Sequence, residues 1–425
     1  MVNRQGALQV HKVGGGLDVR SRPLDKVRMP DSDEASTGQI AFVRGKAFAN
    51  PGHLWIYAGF IQAVSGSPAV GDLVDVVLPN GRFYARGLYN PNSKIRVRIL
   101  TFEDEPINAS FWKNRFAQAL RLRKTVVADT NAYRLVHGES DRLPGLIVDR
   151  YDDVLVVQTL SAGMDRRKSL LLDLLREETG AGRVYMRNDA KARALEGLPS
   201  ETGFAYGQGA TTVEVFEGSA RFLVNIARGQ KTGWFCDQRE NRLAAARLAA
   251  DADVLEVFCH TGAFGIHAAL AGAKSVEGLD VSEEALTLAR AHAELNGVQQ
   301  RCRYHAVDAF DGMRQLERQG CRYDRVLLDP PAFARSKQTV SRALAGYKDV
   351  NLLGIRLTRP EGFLVTSSCS HHVSEGELLR AITRAAQDAK RQIRLIEQRG
   401  QSRDHPILAS MPETRYLKCF IFQVL

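Results

Sequence analysis

Val254-Leu-Glu-Val-Phe-Cys-His-Thr-Gly-Ala-Phe-Gly265 reads as a buried strand that ends in a glycine-bearing turn and opens directly into a helix. Leu255, Val257 and Phe258 suit a strand covered on both faces, and Ile266 to Leu270 begin an apolar helix. Gly262 and Gly265 are expected to let backbone approach a ligand closely. A second strand, Lys274 to Leu279, ends in Asp280, and Ser282 caps a further helix with Glu283 and Glu284 in its first turn. An acid after the second strand of such a unit can take both hydroxyls of a ribose. That pattern suits NAD and S-adenosylmethionine equally. The turn separates them: it lacks the G-x-G-x-x-G run that a pyrophosphate needs, and it places Glu256 where an acid would repel phosphate but attract a sulfonium or amino group.

The surrounding text extends the same alternation. Strands are expected at Arg303 to Val307, Tyr323 to Asp329, Gly362 to Ser368, Ile393 to Glu397 and Tyr416 to Val424, with helices between them. This is an α/β fold with a doubly wound, Rossmann-like sheet of seven strands, whose ligands lie at the strands' carboxyl ends. Glu256, Asp280, Asp308, Asp329 and Cys369 each close a strand or follow it at once, as expected where several loops build one crevice. Asp308-Ala309-Phe310 alone reads as a helix cap, whereas in this series Asp308 is placed to meet an adenine amino group. In Leu328-Asp-Pro-Pro-Ala-Phe333 two prolines stiffen the loop that holds Asp329 against a planar base. Ser367-Ser-Cys-Ser370, followed by His371 and His372, puts the Cys369 thiol in what reads as a polar, exposed setting suited to a thiolate.

Three further segments precede this domain, which is expected over 211–425. Residues 1–37 mix Gly, Asp, Arg and Pro without a sustained period and read as a flexible leader. Residues 38–107 read as a small β-barrel of short strands broken by Gly, Pro and Asn. In its last strand Ile95, Val97 and Ile99 alternate with Lys94, Arg96 and Arg98, so three cations share one face as a candidate RNA-phosphate stripe. Residues 108–210 read as an α+β connector that opens with an amphipathic helix, whose Trp112, Phe116 and Leu120 are expected in the core.

With 58 Lys and Arg against 48 Asp and Glu, the chain carries a net charge of +10, which favours a polyanionic partner. Six scattered cysteines without a C-x-x-C pair suggest neither zinc nor disulfides and fit a reducing cytoplasm. No apolar run approaches the length of a membrane span, and the first 30 residues hold no apolar signal-peptide core.

Gly52-His-Leu-Trp-Ile56, Val70-Gly-Asp-Leu-Val74 and Gly87-Leu-Tyr-Asn-Pro-Asn-Ser-Lys-Ile95 resemble a PUA domain, an RNA-binding barrel fused to RNA-modifying enzymes. Gly229-Gln-Lys-Thr-Gly233 with Asp237-Gln238-Arg239, Phe258-Cys-His-Thr-Gly262, Asp329-Pro-Pro331 and Ser368-Cys-Ser370 resemble class I S-adenosylmethionine-dependent methyltransferases. Within these the chain is most similar to the PUA-fused bacterial enzymes that methylate carbon 5 of a cytosine in 23S ribosomal RNA. The resemblance implies that Gln238, Glu256, Phe258, Gly262, Asp280, Asp308 and Ala309 bind the cofactor, that Asp329 faces the base and that Cys369 is the nucleophile. It implies ribosomal RNA as partner, no metal and no membrane, and leaves a homodimer open. Many RNA cytosine-C5 methyltransferases carry a second cysteine after the motif proline. Here Ala332 stands instead, so product release must use another base. Two other readings compete: methylation of a guanine nitrogen, which needs no nucleophile, and a silent RNA-binding assembly factor.

Overall fold

The computed structural model describes residues 40–43, 51–334 and 337–425, and the leader expected over 1–37 lies outside the described residues. Six short strands form the first sheet: β1 (Ile40–Val43), β2 (Trp55–Tyr57), β3 (Ile61–Val64), β4 (Leu73–Val77), β5 (Phe83–Tyr89) and β6 (Ile95–Thr101). Their order is β2-β6-β5-β4-β1-β3, with β1 parallel to β4 and the other pairs antiparallel. A single 3-10 turn at Ala58–Phe60 separates β2 from β3. Ala58 and Gly59 are poor strand formers, and the β2–β6 register shifts at Ile56/Tyr57.

The connector follows as α1 (Ala109–Val126), β7 (Ala132–His137), β8 (Leu146–Tyr151), β9 (Val154–Thr159), α2 (Ala162–Arg166), α3 (Lys168–Thr179), β10 (Arg183–Asn188) and β11 (Glu201–Tyr206). Trp112 and Phe116 of α1 are buried with Leu171, Leu175 and Leu155, so this aromatic stripe is core. α2 and α3 are separated by a break at Arg167, and β11, with Gly203 at its centre, has too few apolar residues to be read from period alone. The first two domains meet closely: a Cβ on Gly163 would stand 2.6 Å from Leu88 Cβ, so only glycine fits this seam.

A hairpin, β12 (Thr212–Glu217) and β13 (Ala220–Asn225), and α4 (Arg239–Ala246) lead into the last sheet. Its elements are β14 (Asp253–Val257), α5 (Ala263–Leu270), β15 (Ser275–Asp280), α6 (Glu283–Leu295), β16 (Cys302–Ala306), α7 (Ala309–Arg318), β17 (Tyr323–Leu328), α8 (Val340–Leu357), β18 (Thr358–Ser368), α9 (Glu375–Asp388), β19 (Ile393–Arg399) and β20 (Lys418–Val424). The order β16-β15-β14-β17-β18-β20-β19 is parallel except for β20, which inserts antiparallel between β18 and β19. The sheet is thus mostly, not wholly, parallel. Strand order reverses at β14, which opens a crevice at the carboxyl ends of β14 and β17.

Residues 400–417, between β19 and β20, make the excursion that ties the domains together. Met411 is fully buried in the core of the first sheet with Leu54, Ile56 and Val97, and Ser410 Oγ donates to Gly52 O at 2.8 Å. Asp404, with no exposed surface, accepts from Arg239 Nη2 at 3.0 Å and from Arg134 N at 2.9 Å, while its carbonyl accepts from Arg123 Nη2 at 2.8 Å. Burial alone would raise its pKa, but His405 and Arg239 outweigh it and hold the carboxyl well below the usual range. Among the described residues no helix is long and apolar enough to cross a membrane, and no group of three or more His, Cys, Asp or Glu could hold a metal ion.

Asp404→Ala leaves Arg239 buried without its carboxylate and should cost about 3–5 kcal/mol in denaturant unfolding at pH 7. Because the native carboxyl has a depressed pKa, its contribution is complete above about pH 4 and fades as pH falls further. The deficit of the variant should therefore narrow in acid. A loss under about 1 kcal/mol at pH 7 would contradict this role.

Candidate active site

The turn after β14 is built on left-handed backbone: Phe258 has φ 61°, His260 φ 48° and Gly262 φ 75°. Two non-glycine residues in that region cost on the order of 1 kcal/mol each or more, so neighbouring structure must impose them. Cys259 N donates to Leu279 O at 3.0 Å, and His260 N donates to Asp280 Oδ2 at 2.8 Å. Gly262 is the N-cap of α5 and has no side chain with which to cap it. Glu256 supplies the cap from beneath, with Oε1 accepting from Phe264 N at 3.1 Å and Oε2 from Gly265 N at 2.9 Å.

This corrects two expectations. Glu256 does not stand at the mouth of the crevice: it is 3 % exposed, and burial pushes its pKa to about 8 against the pull of the two N–H groups. Gly265 makes room for that carboxylate rather than for a ligand, since a Cβ there would stand 2.6 Å from Glu256 Oε2.

Asp280 ends β15 partly exposed, and each of its oxygens accepts one backbone N–H, from His260 and from Ser282 at 2.9 Å. A carboxylate oxygen accepts more than one hydrogen bond, so both keep capacity for a further donor. Asp308 caps α7, with Oδ1 accepting from Phe310 N at 2.9 Å and Asp311 N at 3.2 Å. Ala309, directly after it, is buried. The loops after β14 and β17 and the first turn of α7 bring together the rings of Phe258, Phe333 and Phe310, with centroids 6.4 to 6.5 Å apart. The result is an apolar wall between acids.

Asp329 and Cys369 follow the adjacent parallel strands β17 and β18, whose ends pair Leu328 with Thr366. Gln238, expected to face the cofactor, is 3 % exposed and engaged internally instead: Nε2 donates to Asp329 Oδ1 at 2.8 Å, and Oε1 accepts from Asn241 Nδ2 at 2.7 Å. Burial and the neighbouring Asp237 charge push the Asp329 pKa up to about 6, opposed by Lys231 and by Gln238. Burial and Asp329 also raise the Cys369 thiol, again opposed by Lys231.

The hydroxyls flanking Cys369 do not make the polar setting that was expected. Ser368 Oγ donates to Tyr347 OH at 2.8 Å, and Ser370 Oγ bonds Tyr347 OH at 2.9 Å and accepts from Ala334 N at 3.3 Å. They turn inward and fix the loop, while Cys369 is half-buried.

Other residues complete the crevice wall. Lys231, at φ 54°, donates from Nζ to Asp237 Oδ2 at 2.7 Å, and Tyr416 OH donates to the same oxygen at 2.6 Å. Asp237 is 3 % exposed, its Oδ1 has no partner, and its pKa is held low, Lys231 and His405 overcoming burial. The Gly229 to Gly233 run with Asp237 was the signal for this pair. Nothing comparable marks Tyr416 or Lys418 in the final apolar strand.

The cationic stripe of β6 is also corrected. Arg98 is only 12 % exposed and bridges Glu139 Oε1 at 3.2 Å and Glu196 Oε1 at 3.0 Å, both in the connector. Its like-charge repulsion is relieved by carboxylates of the chain itself. Arg96 is half-buried, with Nη1 3.4 Å from Asn90 O, and Lys94 is exposed.

Comparison with known proteins agrees with this layout. Residues 45–102 match the PUA-like domain family and residues 192–401 the S-adenosylmethionine-dependent methyltransferase family. The chain is 41 % identical over 376 residues, 88 % of its length and 95 % of the relative's, to ribosomal RNA large subunit methyltransferase I of Alteromonas mediterranea. It is 39 % identical over 396 residues to the protein of the same name from Vibrio parahaemolyticus, covering 92 % of this chain and all of that one. Among solved structures, a SAM-dependent methyltransferase from Streptococcus mutans superposes with TM-score 0.77 at 20 % identity, over 90 % of this chain and 99 % of that one. That likeness speaks to the fold alone.

Asp329 should titrate near pH 6 when followed by carbon-detected NMR of its labelled carboxyl, and Lys231→Met, which removes an opposing cation, should move the midpoint higher. A midpoint near 4, the value of a free aspartate, would contradict the described environment.

Proposed function

The chain belongs to the ribosomal RNA large subunit methyltransferase I family of S-adenosylmethionine-dependent enzymes, and on that premise we propose that it methylates carbon 5 of a cytosine in 23S ribosomal RNA through a transient Cys369–C6 bond. The observation that carries the reading is the pairing of a half-buried thiol with a protonatable carboxyl on adjacent strand ends of one crevice. Methylation of a guanine nitrogen would give no role to that thiol.

The residues fit the methyl donor by their chemistry. Asp280 has capacity left for ribose hydroxyls, the Phe258 to Gly262 loop and Phe310 offer an apolar slot for adenine, and Asp308 with Ala309 closes it. Gln238 and Glu256 act one step removed, Gln238 by orienting Asp329 and Glu256 by holding the α5 end of the loop. S-adenosylmethionine supplies an electrophilic methyl group.

C5 of cytosine is too weak a nucleophile to take that methyl unaided. The Cys369 thiolate adds to C6 as Asp329 gives a proton to N3, which makes C5 electron-rich. With a pKa of about 6, about a tenth of Asp329 is protonated at pH 7, far more than of a free aspartate. After methyl transfer a base removes the C5 proton, the S–C6 bond breaks to restore the thiolate, and N3 returns its proton to Asp329. The PUA-like domain, with Lys94 and Arg96 available, is assigned to hold the RNA.

Cys369→Ala should fold, bind S-adenosylmethionine with unchanged calorimetric affinity and transfer no methyl group to ribosomal RNA, read by mass-spectrometric mapping of 5-methylcytosine. Cys259→Ala is the control, because Cys259 is buried in the β14 turn and can act only through cofactor affinity. Retained 5-methylcytosine formation by Cys369→Ala would sink the mechanism, and a methylated guanine as product would move the assignment to nitrogen methylation.

A further inference from the structure

β20 carries one charged residue, Lys418, at the head of Lys418–Val424. Its register partner is Ser368, so it lies across the β18–β20 pair from the residue that precedes the nucleophile. Lys418 is 5 % exposed, and its Nζ donates to Ser370 O at 2.7 Å and Val373 O at 2.9 Å, the two ends of the turn just beyond Cys369. No carboxylate forms an ion pair with it among the described residues. Burying an ammonium is costly, and two carbonyls offset only part of that cost.

We propose that Lys418 is a positioning residue that favours the thiolate form of Cys369 against the burial that opposes it, fixing the loop through two carbonyls and placing a buried positive charge beside it. The inference rests on the reading of Cys369 as nucleophile. The other charges facing the thiol are Asp329, after β17, with Lys231 and Asp237, before α4, and the hydroxyl of Tyr347 on α8 also faces it. The two acids oppose a thiolate. Lys231 favours it but is 41 % exposed and already paired with Asp237, so solvent and its own partner spend its field. Lys418 is buried, and its hydrogen bonds go to neutral carbonyls. Around Lys418 itself stand Cys369, Glu375 of α9, Arg415 and His371. Burial pushes Lys418 down to about 8, with Cys369 and Glu375 pulling the other way, so it remains mostly charged at pH 7.

The test is peptide-resolved alkylation of Cys369 by iodoacetamide as a function of pH, in the full chain without RNA. Lys418→Gln keeps a donor for the carbonyls but loses the charge. It should shift the alkylation inflection up by about one pH unit, or about tenfold in rate at pH 7.5. Lys418→Arg, charged at every pH used, should titrate at or below the wild type. An unmoved inflection in Lys418→Gln with intact S-adenosylmethionine affinity overturns the proposal, and should that variant not fold, a higher inflection in Lys418→Arg does so. A shifted inflection combined with retained 5-methylcytosine formation in Cys369→Ala would leave the thiolate pair standing and remove only the cytosine-C5 reading.

Discussion

Asp404 is the carboxylate on which the rest of the structure depends. It has no solvent contact, and buried ions usually lose more in desolvation than they regain in attraction unless every lone pair is used. Here Arg239 of α4, the Arg134 N–H of β7 and His405 surround it. The connector and the catalytic sheet are therefore locked to one another through a residue of the β19–β20 excursion. From that point order spreads in both directions along 400–417. Towards β20, Met411 seats in the core of the first sheet. On the catalytic side Ser402 donates from N and from Oγ to Asp237 O, both at 2.9 Å. Asp237 then meets Lys231 and Tyr416, and Gln238 beside it holds Asp329. One excursion of the chain thus joins the PUA-like domain to the wall of the crevice.

The crevice is a place where charge is kept scarce. Asp329 and Cys369 are both moved toward their neutral forms by burial and by negative neighbours, which suits a group that must give a proton but opposes one that must lose it. Lysines on two unrelated segments, Lys231 before α4 and Lys418 on β20, set the balance. Lys418 is buried and its charge is met by loop carbonyls, whereas Lys231 stays exposed and pairs with the Asp237 carboxylate.

Strand positions were legible because apolar runs that end in an acid or a cysteine suit a buried strand and little else, and Asp280, Asp308, Asp329 and Cys369 do lie at the carboxyl ends of one sheet. Side-chain direction was not legible. Glu256 lies one residue before the end of its strand, yet turns inward because the α5 N-cap is a glycine that cannot cap itself. Gln238 sits in the expected segment but meets Asp329 rather than open space. Arg98 follows the period-two alternation of β6, and only the connector's Glu139 and Glu196, distant in sequence, decide that its charge is internal. The insertion of β20 between β18 and β19 was hidden for the same reason, since periodicity identifies a strand without naming its neighbours, and Lys418 was hidden with it.

The central claim is a covalent step, and its most direct measurement is denaturing electrophoresis of the protein after incubation with S-adenosylmethionine and 23S ribosomal RNA carrying 5-fluorocytidine. Fluorine at C5 cannot leave as a proton does, so the adduct should persist as a slow-migrating protein–RNA species that maps to Cys369 and is absent in Cys369→Ala. No such species with RNA that the unsubstituted control shows to be methylated, or one that persists in Cys369→Ala, would contradict the account.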